Sequence, residues 1–464
     1  MNQQAFISPD LIRAKFAQAM SDMYQTEVPL YGSLVELVQD VNKHVLDTQP
    51  DVAQRLERTG EMERLNEERH GAIRLGKVEE LTTMRRLFAV MGMQAVGYYD
   101  LTPAGVPVHS TAFRAVHEKS LQVSPFRVFT SLLRLDLIDN AQLRQMAEEV
   151  LAKRNIFTDK AIALIEQFEA QGGLNETDAD EFVQQALETF RWHTEATVTA
   201  QQYQELHDTH RLIADIVAFK GPHINHLTPR TLDIDDVQLG MSARNIPPKA
   251  VIEGPPRRNC AILLRQTSFK ALQEKVAYIG EQGTASGSHT ARFGEIEQRG
   301  MALTPKGRAL YDQLLNAARK ELGAFPDESN AERYVELMQQ HFQAFPDTYP
   351  AIRQQELGFF RYFASEKGLA ETAQAAQLTS VEALIEAGYL EYEPLVYEDF
   401  LPVSAAGIFQ SNLGEGAQTN YVEMSSQEKF EQALGAKVLN ELALYAQTQQ
   451  RSLEQALSAL KVTL

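Results

Sequence analysis

Two hydrophobic rhythms divide this chain. In the first, apolar residues fall three and four apart: Val78, Leu81, Met84, Phe88 and Met91 predict one helix, closed by Gly92. The second rhythm alternates. In Arg69–Leu75 an extended backbone would put His70, Ala72 and Arg74 on one face and Ile73 and Leu75 on the other. Helical spacing also marks the N-terminus, where Ser8-Pro9-Asp10 reads as a cap, a first helical position and an acidic first turn. Three helices are expected there: to about Met23, over Ser33–Leu46, and over Val52–Glu67. After the strand at His70 and its helix, Gln94–Leu101, Val106–His117 and Phe126–Leu132 read as strands. The order is strand, helix, strand, strand, strand.

The stretch from Asn140 to Ala200 reads as helical throughout, with Asn175 supplying a cap. A second unit begins near Leu212. It predicts a strand near His226, a short helix over Asp235–Ser242, and strands at Val251–Gly254, Cys260–Gln266 and His289–Met301. Gly283–Ser288 reads as a flexible Gly/Ser loop. The element order of the first unit recurs without obvious sequence identity. Thr304-Pro305 opens a helical stretch to about Ala387, Tyr389–Val396 reads as a late strand or hairpin, and the last residues are helical. The expected organisation is one elaborated domain: a module over 68–136, a helical insertion over 137–210, a second module over 211–304, a helical cover over 305–388, and a C-terminal part over 389–464.

Composition changes this picture little. Of 464 residues, 44% are hydrophobic and 23% charged, an ordinary globular balance. The single Cys260 excludes an internal disulfide framework and a cysteine-based zinc site, and fits a reducing compartment. The formal net charge of -18 argues against non-specific nucleic-acid binding, yet a local arginine cluster could still hold a small anion. Met1–Ile7 lacks a basic and apolar leader pattern and no apolar run reaches membrane-spanning length, so the expected setting is cytoplasmic, with no membrane partner.

The candidate chemistry sits on the strands. His70 and Arg74 on one face place a metal ligand and an anion binder in the same space, with Cα atoms roughly 13 Å apart at about 3.3 Å per residue. A solvated surface strand would give the same pattern. Phe293–Gly300 carries Glu295 and Glu297 on one face, where a carboxylate needs a partner, a metal or solvent. Among 11 histidines, His207, His210, His223 and His226 cluster and leave a four-histidine zinc site as an alternative. Two imidazoles and one carboxylate from His70, His226 and Glu295 would instead form the facial triad of non-haem Fe(II) oxygenases, with open positions for a 2-oxo acid and O2.

Taken together, R-H-G-A-I-R at Arg69–Arg74, G-P-H-I-N-H-L-T at Gly221–Thr228 and F-G-E-I-E-Q-R-G at Phe293–Gly300 resemble the 2-oxoadipate dioxygenase/decarboxylase family, and the resemblance runs over nearly the whole chain. The chain is also similar to the vicinal oxygen chelate superfamily. The resemblance implies an α+β fold of paired βαβββ modules forming a curved central sheet or open barrel with extensive added helices. It implies Fe(II) as cofactor, His70, His226 and Glu295 as metal ligands and catalytic residues, and Arg74, Val403 and Ser404 as substrate contacts. The implied reaction takes 2-oxoadipate and O2 to 2-hydroxyglutarate and CO2 in lysine breakdown. Spacing alone leaves Glu297 open beside Glu295, and the superfamily likeness leaves a metal-dependent isomerase or lyase of a small 2-oxo acid as the alternative activity.

Overall fold

The structure is a computed structural model that describes residues 5–102, 105–280, 283–324, 326–401 and 423–464. After helices at Pro9–Glu27, Pro29–Thr48 and Pro50–Thr59 come strands β1 (Arg69–Leu75), β2 (Gln94–Asp100), β3 (Val108–Arg114), β4 (Arg127–Leu133) and the short β5 (Glu195–Thr199). Then follow β6 (His226–Pro229), β7 (Leu264–Ser268), β8 (Gln273–Gly280), β9 (Gly283–Thr290) and β10 (Phe293–Arg299). Late in the chain β11 (Phe360–Ala364) pairs antiparallel with β12 (Leu390–Pro394).

Seven of these strands form one curled sheet in the order β2-β3-β4-β1-β6-β10-β7. The fold is α+β, and the repeated element order shows in its pairing. In the first unit β1 lies parallel to β4, its last strand; in the second, β6 lies parallel to β10. The units meet where β1 runs antiparallel to β6, with His70 opposite Thr228. The first strands of both units therefore lie side by side at the centre, and that juxtaposition builds the site.

Alternation along the central strands sorts polar from apolar side chains as the pattern requires. Ile73, Leu75, Leu227 and Ile296 face one way into a core closed by Phe16, Tyr24 and Leu34 of the N-terminal helices. The Tyr24 hydroxyl reaches through this layer to the backbone carbonyls of Asn225 and Phe293, at 2.9 and 2.8 Å. Gly71 is required at the β1–β6 contact: a Cβ there would lie 2.7 Å from the His226 carbonyl oxygen and 2.4 Å from Ile224 Cδ1. The opposite, concave face carries His70, Glu295, Glu297, Arg127 and Arg299, all buried.

Several elements differ from the sequence reading, each for a physical reason. Gly283–Thr290 is strand β9, paired with β8 along its length, not a flexible loop. Its small residues suit that place: a Cβ on Gly287 would meet the Tyr278 ring at 2.3 Å, so the glycine lets an aromatic side chain lie across the strand. Together with β5, in the stretch read as wholly helical, β8 and β9 form a separate three-stranded sheet. Val251–Gly254 makes only an isolated bridge from Glu253 to Gln266, and Pro255-Pro256 behind it lack the donors to extend a ladder. The third helix stops at Thr59, where Gly60 takes a left-handed φ of 72°, rather than continuing to Glu67. β11 interrupts the 305–387 helical stretch. Among the described residues, no helix is long and apolar enough to cross a membrane.

One buried group gives the fold a specific acid sensitivity. Burial, reinforced by Arg134, holds the His109 imidazole down at about 4 against the opposing pull of Asp100 and Asp136. It is neutral in the folded state, whereas the unfolded chain protonates near the ordinary value of about 6.5. Stability should be complete above that value and decline as pH falls from about 6.5 toward 4, by on the order of 1–3 kcal/mol from this residue. Urea midpoints at pH 7.5 and 5.0 should separate more for the native chain than for His109→Gln. Equal separations would assign the acid sensitivity elsewhere.

Candidate metal centre and the cavity beside it

His70, His226 and Glu295 arrive from three neighbouring strands, β1, β6 and β10. One ligand atom from each lies within 4.8 Å of the others, and all three residues are buried. This is the one such group of three or more potential metal ligands among the described residues. His70 Nε2 is 3.1 Å from Glu295 Oε1, and His226 Nε2 is 3.7 Å from the same oxygen. The two imidazoles stand edge to face, 5.7 Å apart.

The polar atoms left without partners say what this group is suited to hold. His226 is fully buried, yet neither of its ring nitrogens has a hydrogen-bond partner, and Glu295 Oε2 has none either. Leaving such groups unsatisfied costs on the order of 1–3 kcal/mol each. A divalent cation would take up an imidazole nitrogen from each histidine and the carboxylate oxygen together, and two N donors with one O donor match a first-row metal. The residues present therefore fit a metal ion.

Neighbouring residues hold these donors in place. Gln266 Nε2 donates to Glu295 Oε1 at 2.6 Å, and the Thr228 hydroxyl donates to it at 3.1 Å. Those bonds fix the carboxylate and leave Oε2 directed elsewhere. Phe293 stacks on His226 at 4.9 Å, and Phe400 meets His70 edge-on at 4.9 Å, so apolar rings shut out solvent. Burial pushes the Glu295 carboxyl up, but His226, His70 and the Thr228 hydroxyl outweigh it and hold the group below its ordinary value. Burial holds His226 down at about 4, in the neutral form that a metal requires. For His70 burial works downward too, but Glu297 and Glu295 outweigh it and raise the imidazole.

Glu297, left open beside Glu295 by spacing, lies on the other side of the His70 ring. Its Oε2 is 3.3 Å from His70 Nδ1. Arg127 grips both its oxygens at 3.1 and 2.8 Å, and Arg299 Nε donates to Oε1 at 2.8 Å. Arg299 also reaches Glu68 and Glu398, and Arg230 and Arg64 converge on Glu68. A carboxylate so tied down sits beside Nδ1 of His70 and leaves Nε2 turned toward the three-residue group. Replacing Glu297 with Gln keeps the shape and removes the charge. We expect metal affinity to fall about 10–100-fold, the range for such supporting partners. Metal-buffered titration checks this, with circular dichroism confirming the fold; an unchanged affinity would make Glu297 purely structural.

The four-histidine alternative does not assemble among the described residues. His223 Nε2 turns to Asp215 at 3.3 Å and to Asn225 at 3.1 Å. His210 caps the helix Arg211–Val217 by accepting from Leu212 N, and His207 is exposed.

Arg74 Nη1 donates to Asp215 at 2.8 Å and to Asn225 at 2.5 Å. Asp215 is held in turn by His289 Nε2 at 2.8 Å, and the Tyr203 hydroxyl meets His289 Nδ1 at 2.7 Å. Burial drives the Asp215 carboxyl upward, but His223, His289 and Arg74 overcome it and keep it well below the ordinary value. Arg74, Tyr203, Asp215 and His289 border a cavity of about 420 Å³ that Arg211, Lys249 and Phe293 also line. Phe293 joins the cavity to the metal-ligand group through its stack on His226. Burial pulls the Lys249 ammonium down to about 8, against the upward pull of Glu253. Val403 and Ser404 lie outside the described residues.

Sequence reasoning passed over Gln266, Thr228, Asp215, His289 and Arg211. Thr228 and Asn225 sit within the Gly221–Thr228 motif, and alternation from His226 could have placed Thr228 beside it. Asp215 and Arg211 share the helix Arg211–Val217 and His289 lies on β9, and none of the three carries a local signature.

The comparisons with known proteins agree with one another. The sequence profile of the 2-oxoadipate dioxygenase/decarboxylase family matches residues 16–412. A 2-oxoadipate dioxygenase/decarboxylase of Pseudomonas putida is 66% identical over 457 residues, 98% of each chain. One of Escherichia coli is 56% identical over 446 residues, covering 96% of this chain and 98% of that one. Among solved structures, a hydroxyglutarate synthase from Pseudomonas putida in complex with 2-oxoadipate superposes with a TM-score of 0.92 at 66% identity, covering 98% of this chain and 99% of its own.

Proposed function

From the premise that the chain belongs to the 2-oxoadipate dioxygenase/decarboxylase family, we propose that it converts 2-oxoadipate and O2 to 2-hydroxyglutarate and CO2. The atoms balance: one oxygen molecule enters, one carbon leaves as CO2, and the diacid shortens from six carbons to five. His70, His226 and Glu295 hold the metal, and Fe(II) is the ion this chemistry asks of a two-histidine, one-carboxylate set. When bound, it supplies Lewis acidity toward the 2-oxo acid end of the substrate and the electrons that O2 chemistry needs. The observation that carries the reading is the orphaned, fully buried set of donors on His226 and Glu295 in a chain so similar to the curated enzymes.

The chain's own residues do the remaining work. Glu297 orients His70, while Gln266 and Thr228 hold Glu295. Phe293 and Phe400 keep water from the metal-binding group. Arg74, held by Asp215 and Asn225, faces the distal carboxylate of the substrate, with Val403 and Ser404 as further contacts. We place the step in lysine breakdown and in the cytoplasm, in keeping with the family and a lone thiol. Anaerobic loading with Fe(II), then an oxygen-electrode trace on adding 2-oxoadipate, tests the reading. One O2 consumed per 2-hydroxyglutarate formed is expected. Conversion of the 2-oxo acid without O2 uptake would instead point to the isomerase or lyase alternative.

A further inference from the structure

Capture of a doubly charged acid by a chain of net charge -18 requires local positive charge at the place of entry. Arg74 alone supplies little of it, because its guanidinium already shares an ion pair with Asp215 at 2.8 Å. Arg211 is different. It lines the same cavity, only partly covered by its neighbours, and it makes no hydrogen bond or ion pair with any described residue. It is the first residue of the helix Arg211–Val217, where a positive charge opposes the backbone dipoles. Arg74 is close enough to repel it: burial lowers the Arg211 pKa, Arg74 lowers it further, and Asp215 only partly offsets both. The rest of that helix, Leu212–Val217, is buried and needs nothing from the arginine. A cation placed against a dipole, against a like charge and without a partner is a local cost of the kind found at functional positions.

We propose that Arg211 is the specificity-determining cation that captures the distal carboxylate of the dicarboxylate substrate and then holds it together with Arg74. This rests on the function read above, and the two can fail separately. Adipate is the unreactive probe, and hexanoate is the same chain with one charge fewer. Adipate should bind the metal-loaded native protein well ahead of hexanoate, and Arg211→Gln should shrink that preference about 10-fold or more, the weight of a charge-assisted hydrogen bond. In turnover, Arg211→Gln should raise KM for 2-oxoadipate by a similar factor with kcat within about twofold. It should also flatten the fall of kcat/KM between about 0.05 and 0.5 M salt. Arg211→Lys should restore most of the loss, since steering needs a charge more than a fork. Thermal stability of Arg211→Gln should match or exceed the native value, because the repulsion is relieved. An unchanged adipate-to-hexanoate preference in Arg211→Gln overturns the proposal, as does equal weakening of both acids together with a lower melting temperature. A native enzyme that binds adipate selectively through Arg211 but does not turn over 2-oxoadipate would count against the functional reading alone.

Discussion

Replacing His226 with Ala should leave a folded protein that carries less than about a tenth of an iron per chain and turns over 2-oxoadipate more than about 1000-fold more slowly. The loss corresponds to roughly 4 kcal/mol or more of transition-state stabilisation. His226 gives the cleanest test of the metal centre because neither ring nitrogen serves another residue. Removing it breaks no hydrogen bond; it deletes two unsatisfied ring nitrogens and opens a small cavity against Phe293. Those effects oppose each other, so the metal-free variant should melt close to the metal-free native protein. What should vanish is the rise in melting temperature on adding Fe(II), which reports binding to the folded state. Glu295→Ala is a poorer probe, since it also strands His70, Gln266 and Thr228. Iron content, melting curves with and without metal, and steady-state rates decide it. An iron-loaded His226→Ala enzyme with normal turnover would remove the residue from the centre.

How much of this was legible in the sequence depends on the distance over which each signal acts. Alternation around His70 and Glu295 placed both on the polar face of strands, because a period of two is set by the backbone of the strand itself. Three short motifs, read together, pointed to the residues that the sheet brings within 4.8 Å. Spacing could not separate Glu295 from Glu297, which share a face of one strand. What distinguishes them is which side of the His70 ring each occupies, and that depends on β1 lying across β6 from β10. Strand β9 was missed because a Gly/Ser composition carries no side-chain pattern, while its ladder to β8 is made by backbone groups that every sequence has. The partners of Arg74 were invisible for a third reason: Asp215 lies 141 residues away on a helix whose own periodicity says only that it is buried.

The concave face shows why the local pattern read as ambiguous. A polar strand face normally means solvent, and a surface strand was a fair alternative for Arg69–Leu75. Here the charges face one another instead. Glu68 alone is shared by Arg64, Arg230 and Arg299, and Glu297 by Arg127 and Arg299. Breaking one member of such a buried network costs far more than the pair contributes, so the network holds the sheet's inner face to one arrangement. The group of His70, His226 and Glu295 lies against this rigid floor, and His70 is the residue that touches both.

Arg74→Ala should keep iron binding and lower kcat/KM for 2-oxoadipate by on the order of 100-fold, from losing a charge-assisted contact of roughly 3 kcal/mol. The structure adds a complication that the experiment must separate. Arg74 is buried against Asp215, so its removal also takes a partner from a buried carboxylate. Breaking a buried pair typically costs about 3–5 kcal/mol. Here His289 at 2.8 Å and His223 at 3.3 Å still hold Asp215, and the stability loss should be smaller, about 1–3 kcal/mol. The double variant Arg74→Ala with Asp215→Asn removes the unpaired charge altogether. It should regain most of the stability and none of the activity, because only the substrate contact is then missing. Arg74→Lys should recover little turnover, since an ammonium cannot bond Asp215, Asn225 and a carboxylate in the planar geometry of a guanidinium. Melting temperature, iron content and kcat/KM measured on the same preparations distinguish the cases. If the double variant regains activity along with stability, Arg74 serves the fold and another cation receives the distal carboxylate.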